Sequence, residues 1–559
     1  MSSLNNGENI MKQESLQSLI RVNHRGFIPS AKKRFILVDN KTNAEEFSVI
    51  LVDNVREIVV YKGKLKKHIE NGSTLFEGDF SSVKVNGDYY IDVDGIRSRQ
   101  FVIYDEAYDI CQRTMLQYFT YQRCGHPLGW ACDCHLNDGI IAETGEHVDL
   151  SGGYHQSCDL RKSPGGVSIG VLALLRVALK DESKWGKILI RDEVKWACDY
   201  FIKTIQENGA MYNTLNDPFG WEGRIFYKSS APSSAQWNVT NILTLGFIYF
   251  KDQMPEYAYK CLEASLRSYN YLMGDERPLG VYKHPDRYPM GMDPDFFYDQ
   301  CFKNSTADMA YQITTASALY KATGKEDFLI HIKKALPEFL SYLNGFNLRR
   351  NDNAQKNVCA SCSYTWLMSG ILALCDAYEV LGNHLNLENA IKNAIDDACD
   401  FMDKSIWKNA QKLYLDADLD VVDGHSNQTR REAIRNLKKY NEYYYSEYDL
   451  FEPSIACYLG IFIARGAKIL KNEAYMSYAQ AIADLLLGAN ELDSCHIYGI
   501  GYNHSQHKSY GQFFPSTPFI PGAVGVGYST IDVRSGSTSE YDMPCVGLAM
   551  YLLSEITKN

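Results

Sequence analysis

The fold of this chain is decided by a polar, glycine-containing stretch that reads Val148-Asp149-Leu150-Ser151-Gly152-Gly153-Tyr154-His155-Gln156-Ser157-Cys158-Asp159. Residues 164–180 follow it, and there the apolar side chains recur at helical spacing. Long polar connections inside a compact domain are usually functional. The stretch therefore predicts a functional loop that leads into a helix.

From Asp105 to the end of the chain, helical periodicity dominates on both sides of this loop. Twelve candidate helices occupy residues 105–123, 164–180, 191–208, 234–251, 255–273, 304–323, 325–345, 360–382, 386–404, 448–470, 473–488 and 540–557. The long connections between them are residues 124–163, 209–233, 274–303, 405–447 and 489–539. Twelve helices with such connections predict a double ring of six inner and six outer helices, with the long loops at one mouth.

Before Asp105 the sequence changes to short runs rich in β-branched and aromatic residues. These runs are residues 34–38, 47–52, 58–61, 83–85, 89–93 and 101–104, with turns expected at Asn71-Gly72 and Asn86-Gly87. Runs of this kind predict a β-sandwich of about 85 residues. Residues 1–17 are predicted to be disordered, so the expected domains are a sandwich at 18–104 and a helical domain at 105–559.

Composition excludes several classes of partner. The 559 residues carry a formal net charge of −11, so we expect neither nucleic acid nor an anionic membrane as a partner. The polar N-terminus has no apolar signal region, and no stretch approaches the roughly 20 apolar residues of a membrane span. The 15 cysteines are odd in number and scattered, as is typical of reduced thiols. We therefore expect a cytoplasmic protein.

Four stretches, in order along the chain, resemble glycoside hydrolase family 9 in its form with an N-terminal immunoglobulin-like domain. They are Ile20–Pro29 with Lys33–Phe35, Tyr121–Gly125 followed by Cys134-His135, the loop Val148–Asp159, and Leu485–Asn490 with Ile497–Tyr502. The resemblance implies an immunoglobulin-like β-sandwich followed by an (α/α)6-barrel catalytic domain, and it implies a glycosidase. Fold alone does not fix function, so the site residues need their own argument.

Cys124, Cys134, His135 and His155 form a candidate zinc set. Two thiolates and two imidazoles suit a closed tetrahedral structural site. The resemblance implies the same set, because family members with the extra domain often hold zinc with a Cys, a Cys-His pair and the His before the first aspartate. Cys132 and Cys158 are further thiols nearby. The alternative is that these are ordinary buried thiols and a loop histidine.

The resemblance implies a catalytic base at Asp159. The family supplies the base from an Asp-x-x-Asp pair, in which the first aspartate helps to hold the water. Here the first position is Gln156. An amide can orient water, but it adds no negative charge to raise the basicity of its neighbour. The alternative is that Asp159 is the N-cap residue of helix 164–180.

The resemblance implies a catalytic acid near the start of the last helix, where the family has Asn-Glu-x-x-x-Asp-Tyr-Asn. Residues 537–544 read Ser-Thr-Ser-Glu-Tyr-Asp-Met-Pro. Direct alignment places the acid on Thr538 or Gly536, whereas a shift of two residues assigns it to Glu540. A helix N-terminus lowers a carboxyl pKa, so burial has to supply the upward shift that an acid needs. The alternative is a capping role for Glu540.

Candidates for sugar binding follow from the same region and from the loop aromatics. The family's His-His-Arg stretch has no clean match here, and His504, His507 and Lys508 occupy its region. Tyr288 and Trp221 are the aromatic candidates for stacking on a sugar ring. Further aromatic candidates are Tyr282, Trp366, Tyr443 and Tyr445. Each of these aromatics could equally belong to the core.

The leading hypothesis is an inverting glycoside hydrolase that acts on short β-linked gluco- or glucosamino-oligosaccharides. Because Gln156 breaks the aspartate pair, one alternative is a phosphorylase or lyase on the same barrel. A phosphorylase uses phosphate in place of water and would need basic residues near Asp159, and Arg161 and Lys162 lie near it in the sequence. A third reading is a catalytically inactive sugar-binding protein. A phosphate requirement separates the first two, and sugar binding without turnover identifies the third.

Overall fold

The computed structural model consists of an N-terminal sandwich of strands followed by a double ring of helices. It describes residues 17–39, 42–70, 72–141, 143–157, 160, 162, 164–180, 187–214, 225–227, 233–274, 306–343, 360–408, 453–504, 520–525 and 541–557. None of the helices in these ranges combines the length and apolar character that a bilayer-spanning helix needs.

Ten strands, counted within the described part of residues 17–104, form two facing sheets. They are β1 (Ile20–Arg21), β2 (Gly26–Phe27), β3 (Arg34–Leu37), β4 (Glu46–Asp53), β5 (Arg56–Lys64), β6 (Lys66–Glu70), β7 (Ser73–Asp79), β8 (Gly87–Val93), β9 (Ile96–Arg97) and β10 (Phe101–Ile103). One sheet has the order β1-β3-β7-β6, and the other has β2-β10-β8-β4-β5 with β9 paired to β8. The inward faces share buried phenylalanines such as Phe27, Phe35 and Phe101. The predicted sandwich is confirmed.

The sequence patterns failed at several points within the sandwich. The predicted strand 83–85 is wrong, because Val83 donates its N–H to the Phe80 carbonyl and the segment connects β7 to β8. The turn expected at Asn86-Gly87 is also wrong, since Gly87 begins β8. Strands β6 and β7 were missed: the charged residues of β6 mostly face solvent, and the short apolar part of β7, Leu75-Phe76, does not alternate with polar residues. Residues 1–16 of the predicted disordered segment lie outside the described residues.

Twelve α-helices are present in the described part of the remaining chain, one in each predicted segment. They are α1 (Asp109–Tyr121), α2 (Pro164–Lys180), α3 (Lys187–Thr204), α4 (Ser233–Phe250), α5 (Pro255–Met273), α6 (Thr306–Thr323), α7 (Glu326–Tyr342), α8 (Ala360–Leu381), α9 (Leu387–Met402), α10 (Pro453–Ile469), α11 (Glu473–Leu486) and α12 (Met543–Ile556). The described part of this domain also contains a small three-stranded sheet, formed by β11 (Ile140–Ile141), β12 (Asn213–Thr214) and β13 (Ile225–Tyr227).

The even-numbered helices form a closed inner ring, in which each packs on the next and α12 packs back on α2. The odd-numbered helices pack outside them, so the predicted double ring is confirmed. Gly170 and Gly547 let α2 and α12 approach closely, since a Cβ on Gly547 would lie 2.4 Å from the Gly170 carbonyl oxygen. Near the start of the next inner helices, Trp237 Nε1 donates to Asp308 Oδ1 at 2.8 Å. In both contacts the two residues lie in the first half of their helices, so these neighbouring inner helices run parallel.

A buried ionic cluster joins the inner helices near their C-terminal ends. Asp376 on α8 receives Arg176 from α2 at 2.9 Å and Arg465 from α10 at 2.8 Å. Burial opposes ionisation of Asp376, but the two guanidinium groups hold the pKa of its carboxyl far below the usual range. Lys468 pairs with Glu555 on α12 at 2.6 Å. Cations near helix C-termini interact favourably with the helix dipoles, so the cluster stabilises this end of the ring.

The sandwich is fixed to the helical domain through Asp493, which follows α11. This fully buried carboxylate accepts hydrogen bonds from the Ser18 N–H at 2.8 Å and from Arg99 Nη2 at 2.9 Å, and it lies 2.9 Å from His24 Nε2. At a second contact, the Arg34 guanidinium donates to the backbone carbonyls of residues 406 and 407. Sandwich and ring therefore form one packed body.

Asp484 on α11 lies at the same contact and is almost completely buried. Its Oδ1 accepts hydrogen bonds from Asn23 Nδ2 at 2.9 Å and from Gln480 Nε2 at 2.7 Å. Burial raises the pKa of this carboxyl to about 6 from its ordinary 3.8. The native state therefore holds the proton more tightly than the unfolded chain does.

We predict that Asp484→Asn stabilises the protein above pH 6. The stability that Asp484 contributes is present below about pH 4 and is lost as the pH rises through about 6. The Asn carbonyl can accept both hydrogen bonds without a buried charge, which removes a cost of up to about 3 kcal/mol near neutral pH. Urea unfolding midpoints near pH 5 and pH 7.5 measure this. The same pH dependence in wild type and variant would contradict the assignment.

Candidate active site and metal centre

The chain that leaves α1 runs beside the segment 148–157. The N–H of Cys124 donates to the Gly153 carbonyl at 2.9 Å, and the N–H of His155 donates to the Gln122 carbonyl at 2.8 Å. Such reciprocal bonds are the ladder of an antiparallel pair. This local pairing brings Cys124 and His155, separated by 31 positions in the printed numbering, to one place.

Cys134 and His135 complete the group from the loop between these segments. One ligand atom from each of the four residues lies within 4.8 Å of the others, and all four residues are buried. Cys124 Sγ is 3.7 Å from Cys134 Sγ and 3.5 Å from His135 Nδ1. Cys134 Sγ is 3.1 Å from His155 Nε2. The structure thus brings together the whole predicted ligand set.

These distances suit a tetrahedral metal ion. Bonds of about 2.3 Å to sulfur and about 2.0 Å to nitrogen place two sulfur ligands about 3.8 Å apart and a sulfur and a nitrogen about 3.5 Å apart. Burial opposes ionisation of Cys124, but the hydrogen bond from Cys134 and the positive charge of Lys162 hold the pKa of its thiol well below the ordinary value. A thiolate is the form that binds metal. The cluster could therefore hold a metal ion.

A buried ion pair lies beneath the same loops. Lys162 Nζ is 2.6 Å from Asp138 Oδ2, and both side chains are fully buried. The amine also donates to the carbonyls of Leu150 and Gly152 at 3.1 and 3.0 Å. Lys162 therefore ties the chain after Asp159 to the metal-ligand loop and to the start of the 148–157 segment.

Asp159 lies outside the described residues, as does Cys158 before it, but Leu160 directly after it is described. Leu160 is buried in one cluster with Cys124 and Cys134. Its φ of 60° falls in the left-handed region, which bulky side chains rarely adopt. Strain of this kind persists only where the surroundings enforce it, and here the metal-ligand cluster and Lys162 are those surroundings.

Gln156 lies where three helices meet. Its carbonyl accepts hydrogen bonds from the N–H of Met543 at 3.0 Å and from the Tyr118 hydroxyl at 3.3 Å. Its side-chain amide rests on Gly166 in the first turn of α2, where an added Cβ would lie 2.2 Å from Gln156 Cδ. The predicted water-orienting residue thus joins the loop to the first turns of α2 and α12.

The residues at which α2 and α12 begin bear on the capping alternatives for Asp159 and Glu540. Helix α2 begins at Pro164, five positions after Asp159, so Asp159 is not its N-cap residue. Helix α12 begins at Met543 with Asp542 as its N-cap residue, so Glu540 does not hold the N-cap position either. Glu540 itself lies outside the described residues. Neither carboxylate therefore occupies the N-cap position of the helix that follows it.

Comparison with known families decides the relationship. The sequence profile named Glycosyl hydrolase family 9 matches residues 108–510, and the one named Cellulase N-terminal ig-like domain matches residues 16–98. The chain belongs to glycosyl hydrolase family 9. Among curated relatives, a cellodextrinase from Butyrivibrio fibrisolvens is 26% identical over 358 residues, which are 57% of this chain and 62% of the relative. The match thus spans less than two thirds of the relative's length.

Two solved family 9 structures have the same architecture. Bacteroides ovatus GH9 superposes with a TM-score of 0.70 at 18% identity, covering 96% of this chain and 98% of that one. A zinc-binding triple mutant of the family 9 endoglucanase J30 gives a TM-score of 0.70 at 17% identity, covering 95% and 99%. The fold is therefore an immunoglobulin-like sandwich followed by the (α/α)6 barrel of family 9.

Of the predicted sugar-binding residues, His504 is described. Its Nδ1 lies 3.1 Å from the Cys495 carbonyl oxygen, and its ring lies 5.9 Å from that of Tyr498. Burial lowers the pKa of this imidazole. Its role in this family 9 chain stays a prediction. The other site candidates that lie outside the described residues are His507, Lys508, Trp221, Tyr288, Tyr282, Tyr443, Tyr445, Arg161 and Cys158. Trp366 lies in α8.

Sequence reasoning missed Glu193, which anchors the loop to α3. The Tyr154 hydroxyl donates to Glu193 Oε2 at 2.9 Å, and Arg123 Nη2 lies 2.8 Å from Glu193 Oε1. Burial raises the pKa of this carboxyl. A usable signal existed, since Glu193 shares a helix face with Ile190 and Ala197 at spacings of three and four. A glutamate on an apolar face indicates a buried partner.

We predict that Lys162→Met destabilises the protein and loosens the loop. The substitution leaves Asp138 buried without its cation, which typically costs about 3–5 kcal/mol. The double variant Asp138→Leu, Lys162→Met removes both charges and should recover most of the lost stability. Thermal unfolding of the wild type, of the single variants Lys162→Met and Asp138→Leu, and of the double variant measures the coupling. Equal unfolding temperatures for the wild type and Lys162→Met would contradict the ion pair.

Proposed function

We propose that this protein is an inverting glycoside hydrolase that cleaves short β-linked gluco- or glucosamino-oligosaccharides. The observation that carries the proposal is the hydrogen bond from the Met543 N–H to the Gln156 carbonyl. It joins the loop three positions before Asp159 to the helix start three positions after Glu540. Family membership supports hydrolysis, and the cellodextrinase relative supports a short glucan as substrate.

In this mechanism Asp159 is the general base and Glu540 the general acid. Asp159 removes a proton from water while the water oxygen bonds to the anomeric carbon. Glu540 gives its proton to the leaving oxygen as the glycosidic bond breaks. The two carboxyl groups of inverting enzymes lie about 6.5–9.5 Å apart to leave room for that water. Gln156 orients the water through its amide.

Local electrostatics support the role of Asp159 as the base. Gln156 touches the first turns of both α2 and α12. Helix N-termini favour a negative charge, which keeps Asp159 ionised as a base requires. Lys162 is bound to Asp138 and to two backbone carbonyls, so it is committed to the loop rather than to phosphate. That commitment favours water over phosphate as the nucleophile.

We further propose that the metal is zinc and that its role is structural. Cys124, Cys134, His135 and His155 would supply four ligands, which fill a tetrahedral shell and leave no position for substrate. A related solved structure is named as a zinc-binding family 9 endoglucanase mutant, which supports the choice of metal. The ion would hold the exit of α1 against the loop before Asp159.

A cytoplasmic location and the domain limits 18–104 and 105–559 are also proposals. No disulfide joins the cysteines in the described ranges, which is in keeping with a reducing compartment. The last sandwich strand ends at Ile103 and α1 begins at Asp109, which supports a boundary between them.

The catalytic assignment predicts that Asp159→Asn lowers turnover by a factor of about 10²–10⁴, the usual contribution of a positioned acid or base. Glu540→Gln should cost a similar factor for cellobiose-type substrates. It should cost much less for an activated aryl glycoside, whose leaving group needs little protonation. Release assays on β-linked disaccharides and their glucosamine counterparts, with and without phosphate, measure this.

Gln156→Asp is the informative companion variant. The added carboxylate should raise the pKa of Asp159 through like-charge repulsion and move the acidic limb of the pH profile upward. A hydrolase should keep or gain activity, whereas a phosphorylase should lose activity because the new charge repels phosphate. If Asp159→Asn leaves turnover on the natural substrate intact, the base assignment is wrong. Sugar binding without turnover in the wild type would identify an inactive binding protein.

The metal assignment predicts about one zinc ion per chain, and Cys134→Ser should lower zinc content and unfolding temperature together, because the binding energy of a structural metal is folding energy. Cys132→Ser is the matched control, since that exposed thiol lies outside the cluster and should leave both unchanged. Elemental analysis and thermal unfolding give the readouts. Full zinc occupancy in a Cys124→Ser, Cys134→Ser double variant would exclude this site.

A further inference from the structure

A pocket of about 440 Å³ lies between helix α3 and the loop that precedes Asp159. We call it the α3 pocket; Ser151, Gly152, Trp196, Asp199, Tyr200 and Lys203 line it, and Cys124 and His135 of the metal-ligand cluster line it as well. The four α3 residues are spaced at i, i+3, i+4 and i+7, so they share one face of the helix. Because α3 belongs to the outer ring, this pocket is separate from the interior of the barrel.

The opposite wall combines the loop backbone at Gly152 and Gly153 with Cys124, His135 and Leu136. Gly152 and Gly153 have φ values of 91° and 75°, a conformation that favours glycine. A Cβ on Gly153 would lie 2.8 Å from the Tyr200 ring, so a side chain there would push the loop off the helix. Trp196 Nε1 donates to the Gly153 carbonyl at 3.0 Å and fixes the separation of the two walls.

The polar side chains of the pocket are held in place from behind. Asp199 accepts from the Tyr257 hydroxyl at 2.7 Å and pairs with Lys195 at 2.6 Å. Lys203 Nζ lies 2.9 Å from Asp149 Oδ2. The Asp199 side chain is still 41% exposed and that of Lys203 36% exposed. Groups that are already oriented lose little freedom when a ligand binds.

We propose that the α3 pocket binds one or two sugar rings of a β-linked oligosaccharide, outside the catalytic cleft. Trp196 offers apolar ring surface, while Asp199 accepts and Lys203 donates hydrogen bonds to hydroxyl groups. One carboxylate and one ammonium group give no net charge, which selects a neutral ligand over an ion. The volume lies within the usual range of about 300–1,000 Å³ for small-molecule sites.

The sugar class in this inference rests on the proposed function, but the site does not. The pocket shares its Ser151–Gly153 wall with the segment that continues to Gln156 and Asp159. A bound ring therefore contacts the catalytic loop from the side of α3. The expected consequence is a protein that binds two sugar ligands per chain, one in the cleft and one beside α3.

The test is calorimetric titration of cellobiose, and of its glucosamine counterpart, into the full-length chain carrying Asp159→Asn. Two binding events are expected. Lys203→Met should weaken one of them by about tenfold or more, because a charged hydrogen-bond donor is lost. Lys392→Met is the matched control: it lies on the outer helix α9, is partly exposed and pairs with the carboxylate of Asp396, but neither residue lines the pocket. It should change neither event.

Trp196→Leu and Trp196→Phe separate stacking from folding. The phenyl ring should retain binding beside α3, whereas the leucine variant should lose it at an unchanged unfolding temperature. One binding event that is indifferent to Lys203→Met, or no binding of either sugar beside α3, overturns the proposal. Loss of the cleft event alone, with the Lys203-dependent event intact, contradicts the proposed catalytic site and leaves the α3 pocket standing.

Discussion

Cys124 and His155 lie on neighbouring segments whose backbones hydrogen-bond to each other, and Cys134 and His135 close the group from the intervening loop. Burying four such polar groups is costly unless each has a partner. Their convergence therefore constrains everything attached to them. It packs against Leu160, whose left-handed backbone needs enforcement, and it lies beside Lys162. The chain around Asp159 is positioned through these contacts rather than by its own local preferences.

The parallel inner ring gives the barrel two electrically different ends. The helix N-termini, with their partial positive charge, meet at the Gln156 end, where a negative charge is stabilised. The helix C-termini carry partial negative charge. Three cations offset it around two buried carboxylates: Arg176, Arg465 and Lys468. A positive potential suited to the proposed catalytic carboxylates at one end and a cationic cluster at the other are thus consequences of one architecture.

Helical periodicity predicted all twelve helices because each carries a long apolar face that survives in the sequence as a spacing. The strands of the sandwich were harder to predict. Strand β6 is largely solvent-facing, and the β-branched run Val83–Val85 proved to be a connection between strands. The metal-ligand set could be named from residue types and a resemblance, but its convergence depends on backbone pairing that spacing does not encode. Asp138 and Glu193 were missed because their partners, Lys162 and Arg123, are distant in sequence.

Backbone pairing connects the sandwich to the chain segment beside the proposed acid. The N–H of His24 donates to the Leu487 carbonyl at 2.7 Å, and Leu487 forms a bridge with Cys495. The same segment continues to Ile497, which pairs with Val524, and the next residue, Gly525, pairs with Tyr541. Tyr541 directly follows Glu540 in the chain. A continuous run of backbone pairs therefore leads from the sandwich to the residue after the proposed acid, while the metal-ligand cluster braces the loop of the proposed base. The described neighbours of the proposed base and of the proposed acid are thus supported from different sides, by the metal-ligand cluster and by the sandwich.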